Sequence, residues 1–380
     1  MKLIFMRNPK KASFATVIIT LVLVLSAANA SHAEVIYEVT VGTSPAEAVY
    51  DSSTGEIFVT NVGSNTVSVI SDSTNAVIAT VTVGNSPKGV AYDSGMGEIF
   101  VANSGGTSVS VISDTTDKLV ATVTVGFGPN GVAYDSGKGE IFVNNFGSIG
   151  VNAANDEVST VSVISDNTNK VVATVTVGEG PLGAAYDLGK GEIFVTDSGG
   201  TSVSVISDIT NKVVATVPVV ASQGGVTYDS GMNEIFVANY GGGSASVISD
   251  GNNSVVATVT VGGEPLGAAY DSGRGEIFVT NYYSGEVSAI SDASNTVLGT
   301  VTVEKAPEGV AYDSGKGEIF VANSGSNSVS VIPDSTALVE STPANPEFPS
   351  VMIVGILLIT AAPTILLHHK RNTEKHEQSC

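Results

Sequence analysis

Between residues 35 and 335 the apolar positions fall into short runs of five to eight residues, broken by Gly, Ser, Asn and Asp. One stretch shows the form: GVAYD (89–93), GEIFVAN (97–103), SVSVIS (108–113) and KLVATVTV (118–125). The runs are rich in Val, Ile and Thr and too short for helices, so they predict four strands, here called a, b, c and d. The links Ser-Gly-Met, Ser-Gly-Gly-Thr and Asp-Thr-Thr-Asp suit antiparallel hairpins. In GEIFVAN, Ile99 and Val101 point one way and Phe100 and Ala102 the other, so this strand needs apolar cover on both faces.

The four-strand phrase repeats. Tyr-Asp recurs at Tyr50, Tyr92, Tyr134, Tyr186, Tyr228, Tyr270 and Tyr312, at intervals of 42 residues except for one of 52. Four strands in such a period match one blade of a β-propeller, whose two faces are buried only between neighbouring blades. Runs a, b and c occur seven times. Run d also occurs seven times, but one step out of phase: the last unit breaks into PDSTALVESTP, while VIYEVTVG (35–42) stands alone at the start. The expected fold is therefore all-β, a seven-bladed propeller of four-stranded antiparallel blades. Its N-terminal strand completes blade seven and closes the ring.

Strand direction orients the ring. The a–b and c–d turns share one face, and the b–c and d–a loops share the other. Strand c of blade seven ends, and the N-terminal strand begins, on the a–b face, so both ends of the ring leave from that side.

The ends of the chain carry different patterns. Residues 1–33 read as a signal peptide, with Lys2, Arg7, Lys10 and Lys11 before an apolar run from Phe14 to Ala27 and small residues at the cleavage site. No Cys lies near that site. The propeller is expected over 34–335, followed by a Pro-containing linker (336–350). Val351–Leu367 is an apolar segment of about 25 Å as a helix, which reads as a transmembrane or sorting helix. A basic tail (368–380) follows and is expected in the cytoplasm. The predicted location is the cell surface, with the membrane held through Val351–Leu367 and the propeller outside.

Charge and composition narrow the chemistry. Residues 34–349 hold nine Lys/Arg and 35 Asp/Glu, a net charge of 9 − 35 = −26. That excludes nucleic acid, which needs clustered cations. The only Cys is Cys380, and the four His are His32, His368, His369 and His376. A mature domain starting after Ala33 then has neither His nor Cys, so a Ser–His–Asp triad, a His/Cys zinc site and haem ligation are not expected in it. No phosphate-binding G-x-x-x-x-G-K-[ST] occurs. No cofactor, metal or catalytic residue is predicted. The one N-x-[ST] acceptor of the body is Asn252-Asn253-Ser254.

Three features invite a functional reading. The d–a loops repeat G-x-x-P-x-G, as in Gly84–Gly89 and Gly126–Gly131, and read as turn chemistry with Pro fixing φ and Gly supplying positive φ. Every a–b turn carries an Asp–Glu pair, such as Asp51/Glu56 and Asp135/Glu140, and every c–d turn adds an Asp. These carboxylates read as solvated turns rather than a Ca²⁺ loop, since DSGKGE lacks the ligand density of an EF-hand. The third feature is the insertion FGSIGVNAANDEVST (146–160) in the b–c loop of blade three. Long loops on rigid scaffolds often carry function. The candidate binding residues are therefore Phe146, Ile149, Asn152, Asn155, Asp156 and Glu157.

The repeats resemble the YVTN family of β-propeller proteins from archaeal and bacterial surfaces. The signature stands as Phe58-Val59-Thr60-Asn61 and Phe278-Val279-Thr280-Asn281, with FVAN, FVNN or FVTD elsewhere. Phe replaces the Tyr of the family name. Pro346-Glu347-Phe348-Pro349, followed by the apolar span and basic end, is similar to the archaeal PEF-type sorting signal, which implies a sortase-like processing partner. The resemblance implies a surface or surface-layer-like role. The predicted function is a surface-anchored propeller acting as a binding, adhesion or envelope-structural module toward an unidentified glycan or protein. The alternative is an extracellular propeller enzyme of the lactonase or lyase type.

Overall fold

The computed structural model describes residues 37–147, 159–220 and 222–335. Among these, 28 strands (β1–β28 in chain order) form seven four-stranded antiparallel sheets. Blade one is β2 (Pro45–Asp51), β3 (Glu56–Asn61), β4 (Thr66–Ser71) and β5 (Ala76–Thr82). These are its strands a to d, and the same order runs through blade six. The predicted signal peptide, linker, sorting helix and basic tail lie outside the described residues. So does residue 34. Among the described residues no helix is long and apolar enough to cross a membrane.

Blade seven is built from both ends of the ring. β26 (Pro307–Asp313), β27 (Glu318–Asn323) and β28 (Ser328–Pro333) supply strands a to c, and β1 (Tyr37–Thr40) supplies d. Tyr37 pairs with Val331 and Thr40 with Ser328. Tyr37–Thr40 of the out-of-phase octapeptide thus form the outer strand of blade seven. Because Tyr37 lies opposite Val331, the chain enters and leaves the ring on the same face.

The core lies between blades rather than within them. Ile57, Phe58 and Val59 are fully buried, and the same three positions are buried in every b strand. Ile57 and Val59 face back onto Phe320 of blade seven, while Phe58 faces forward onto Ile99 and Val101 of blade two. This alternation recurs around the ring and yields seven interblade clusters. Complete burial of each Phe contributes roughly 1.5–3 kcal/mol. Outer strands are wetter: in Lys118–Thr124 Val123 is the buried residue.

The Asn that ends each b strand holds the following b–c turn. Asn103 donates to the hydroxyls of Ser108 and Ser110, each at 3.0 Å. In blade four Asp197 takes this place and accepts from Ser202 (2.8 Å) and Ser204 (3.0 Å). The buried side chain also explains the first Gly of the d–a loop, since a Cβ on Gly84 would lie 2.5 Å from Asn103. Positive φ falls elsewhere than expected. It belongs to the residue before the Pro, which is Gly128 or Gly180 in two loops but Ser44, Ser86, Glu264 or Ala306 in others. The flanking glycines of the motif thus serve close approach, not backbone handedness.

Candidate functional site

The a–b and c–d face repeats with little variation. Asp51, Asp93, Asp135, Asp187, Asp229, Asp271 and Asp313 are fully buried. Each folds back to accept backbone N–H bonds from its own turn, as Asp135 does from Gly137 (2.8 Å) and Lys138 (3.1 Å). The Tyr of the next blade lies over the same turn: a Cβ on Gly137 would sit 2.7 Å from the Tyr186 hydroxyl. Burial first, and then the charge of Asp135, raises the Tyr186 phenol above its ordinary range. For Tyr50 the same causes, with Asp313 as the carboxylate, push it up to about 12. These Asp are therefore buried turn caps and interblade braces, not the solvated turn residues the sequence predicts. Among the described residues no group of three or more His, Cys, Asp or Glu is arranged to hold a metal ion.

The opposite face is shaped by a β-bulge at the start of every inner strand. In blade one Pro45 pairs with Asn61 and Ala48 with Val59, so Ala46 and Glu47 together oppose Thr60. The irregularity recurs at the same place in the other six blades. A bulge re-aims its side chains. Here seven bulges form the rim of the central channel. Their first residues are Ala46, Lys88, Asn130, Leu182, Gly224, Leu266 and Glu308. Their second residues are Gly in six blades and Glu47 in blade one.

The six glycines have a steric cause. A Cβ on Gly89 would lie 2.0 Å from the carbonyl oxygen of Asn130 in the next blade, and one on Gly131 would lie 2.1 Å from that of Leu182. Some b strands add an interblade clasp. The Thr60 hydroxyl accepts from Glu47 N (3.1 Å) and donates to the Lys88 carbonyl (2.6 Å). Thr196 and Thr280 repeat this bridge in blades four and six, where the second bulge residue is Gly. Nothing in the clasp calls for a carboxylate at position 47.

At this mouth the channel encloses about 280 Å³. Glu47, Lys88, Asn130, Leu182, Leu266 and Glu308 stand at its rim, above a waist of Val90, Val132, Val226, Val310 and alanines. Glu47 and Glu308 belong to adjoining blades, one and seven, at the seam that β1 closes. The Glu47 carboxylate lies against Gly309, its Oε2 being 2.7 Å from where a Cβ there would stand. Burial pushes the Glu47 carboxyl up to about 7, with Glu308 adding to the rise and Lys88 opposing it. Burial likewise raises Glu308, opposed by the Ser324 hydroxyl and Lys88. Among the described residues neither Glu is in an ion pair, and Lys88 has no carboxylate within 4.0 Å. The other mouth is a wider funnel of about 550 Å³ lined by Tyr50, Tyr228, Tyr270, Tyr312 and turn serines.

Of the site residues expected from sequence, Phe146 lies on this bulge face. It is half-buried, its ring reaches within 3.3 Å of a Cβ placed on Gly180, and its N–H donates to Gly128 O at 3.0 Å. Ile149, Asn152, Asn155, Asp156 and Glu157 lie outside the described residues. Glu47, Lys88 and Glu308 were missed by the sequence reading. The signal was present: of the seven aligned phrases five read P-x-G and one reads Gln223-Gly224-Gly225, while Pro45-Ala46-Glu47 replaces the last Gly with a charge.

Compared by sequence, the chain matches no family model and no curated protein. Its fold defines a class, the closed seven-bladed β-propeller, and solved structures share it. A chain described as Kuenenia stuttgartiensis hydrazine synthase is similar with a TM-score of 0.69 and 17% identity, over 81% of this chain and 99% of that one. A structure of streptogramin B lyase is similar with a TM-score of 0.66 and 13% identity, over 78% of this chain and 96% of that one. At these identities the likeness is one of fold.

Proposed function

We propose that this chain is a binding module of the cell surface: a rigid propeller tethered by its C-terminal segment, engaging a ligand through the bulge face. One observation carries the reading. Two strong departures from sevenfold repetition, the acidic pair at the channel rim and the blade-three insertion rooted at Gly147 and Ser159, start from one face, while the described ring begins at Tyr37 and ends at Pro333 on the other. The FVTN-type repeats and the Pro346-Glu347-Phe348-Pro349 segment support a place among YVTN-like surface proteins of archaeal type, with a sortase-like enzyme acting on the tail. A lack of His from 34 to 349 and a single Arg, Arg274, favour binding over catalysis.

The test is protease shaving of intact cells that express the full chain. The expected result is loss of the propeller from the cells, and its release into the medium when 351–380 are deleted. Retention inside intact, protease-treated cells would overturn the reading. A second reading, a lyase-type enzyme, draws on one observation: a carboxyl poised near 7 in a channel mouth is suited to moving a proton. Loss of a measured elimination activity in Glu47→Gln, with ligand binding intact, would favour it.

A further inference from the structure

We propose that the bulge-face mouth of the channel binds a primary alkylammonium group, its charge held between Glu47 and Glu308 and its aliphatic stem lowered into the Val/Ala waist. The inference names the ligand class for the binding reading above and rests on it. Four observations converge. First, six bulges carry Gly for a steric reason and the seventh carries Glu47, whose carboxylate serves no turn, clasp or ion pair among the described residues. Second, Glu308 stands on the adjoining bulge, so the two acids line one half-open volume of about 280 Å³. Third, that volume continues into apolar side chains, which match a hydrocarbon stem. Fourth, the body carries a net charge of −26, a field that concentrates cations at a low-dielectric mouth.

Other ligand classes fit less well. An anion meets two carboxylates. A divalent cation needs six or more oxygen ligands, and this mouth offers two acids with the Lys88 ammonium beside them. A quaternary ammonium is recognised by aromatic faces, and no aromatic residue lines this mouth. A primary ammonium brings three N–H donors to carboxylate acceptors, and its charge favours the ionised form of both acids. Lys88 is a like charge at the edge of the site, and it limits affinity. Two sources share this chemistry, a free amine and the lysine side chain of a partner.

Isothermal titration of the purified full chain tests the proposal with hexylamine, with a short peptide holding one central Lys, and with hexanol as the neutral control. The expected result is hexylamine binding at pH 8 and at least a tenfold loss in Glu47→Gly. That variant installs the residue of the other six bulges, so the fold is retained. Glu308→Gln is expected to weaken binding similarly, and Lys88→Met to tighten it a few-fold. Tighter binding of hexylamine than of the peptide identifies a free amine, and the reverse identifies a protein lysine. Binding weakens from pH 8 to pH 5 as Glu47 takes up its proton.

Equal affinity of wild type and Glu47→Gly, failure of both amine probes, or hexanol binding as tightly as hexylamine overturns the amine site. The shaving result separates the two proposals. Surface display without amine binding sinks the site alone. Glu47-dependent amine binding by a chain that never reaches the surface sinks the display reading alone.

Discussion

The two faces of this propeller are made by the same seven repeats, yet they differ in what the repeats do there. On the a–b and c–d face every inner-strand Asp is buried under a Tyr from the next blade and spends its carboxylate on turn amides. Departures are absorbed: Leu188 replaces a turn Ser, and Gly189 N still donates to Asp187 at 2.7 Å. On the bulge face the rim side chains range from Gly224 to Leu266 to Glu308, and blade one breaks the steric rule with Glu47. Repetition is what a structural job enforces, since each copy meets the same neighbour. A departure that no neighbour requires marks the surface available to a ligand.

One deletion and three substitutions break or sharpen this contrast. The largest effect is expected from deleting residues 35–42. The deletion strips β1 from β28 and uncovers Val329 and Val331, cores on which ring closure depends. The expected cost is comparable with the ~5–15 kcal/mol that stabilises a whole domain. Calorimetry should show loss of the single cooperative transition, and an unchanged midpoint would refute closure through β1.

Next comes Phe100→Ala, which empties the cluster between blades two and three. It is expected to destabilise by about 3–5 kcal/mol in denaturant titration. Asp135→Ala removes the acceptor of two turn amides and leaves them unmatched. About 1–3 kcal/mol should be lost. If instead the change costs nothing, the carboxylates of this face are solvated after all.

The smallest effect concerns the one acidic clash on the braced face. Other c–d turns place Asn at the fourth position, where Asn169 donates to Glu98 and Asn295 to Glu234, each at 3.4 Å. Blade two has Asp117 instead. Burial, and next the charge of Asp117, push the Glu56 carboxyl up to about 7. A raised carboxyl pKa means that the folded state holds its proton more tightly than the unfolded chain. The stability it confers is therefore present below about 4.5 and is lost as pH rises towards 7. Asp117→Asn should stabilise by about 0.5–1 kcal/mol at pH 8, allowing for solvent screening, and by nothing measurable at pH 4. Thermal melts of the pair at both pH values check the sign.

Much of this was legible along the chain. Strand type follows from Val/Ile/Thr runs with turn residues between them. Blade number follows from counting Tyr-Asp, and ring closure from the phase of VVATVTVG. All three rest on local propensity or on simple repetition. The double-sided burial of Ile99, Phe100 and Val101 was also readable, because alternation in a strand assigns faces without knowledge of the neighbour.

What the tertiary structure alone decided lies between blades, where partners are a full repeat apart. The sequence places Asp135 in a polar turn, and nothing local says that Tyr186 covers it. The second Gly of P-x-G looks like turn chemistry until the next blade's carbonyl is found 2.0–2.9 Å from its missing Cβ. Only then does Glu47 stand out as an exception rather than as variation. Its meeting with Glu308, far away in the chain, depends on β1 closing the ring. Short-range pattern sets what each residue prefers, but the curvature of seven packed blades sets which residues share a cavity.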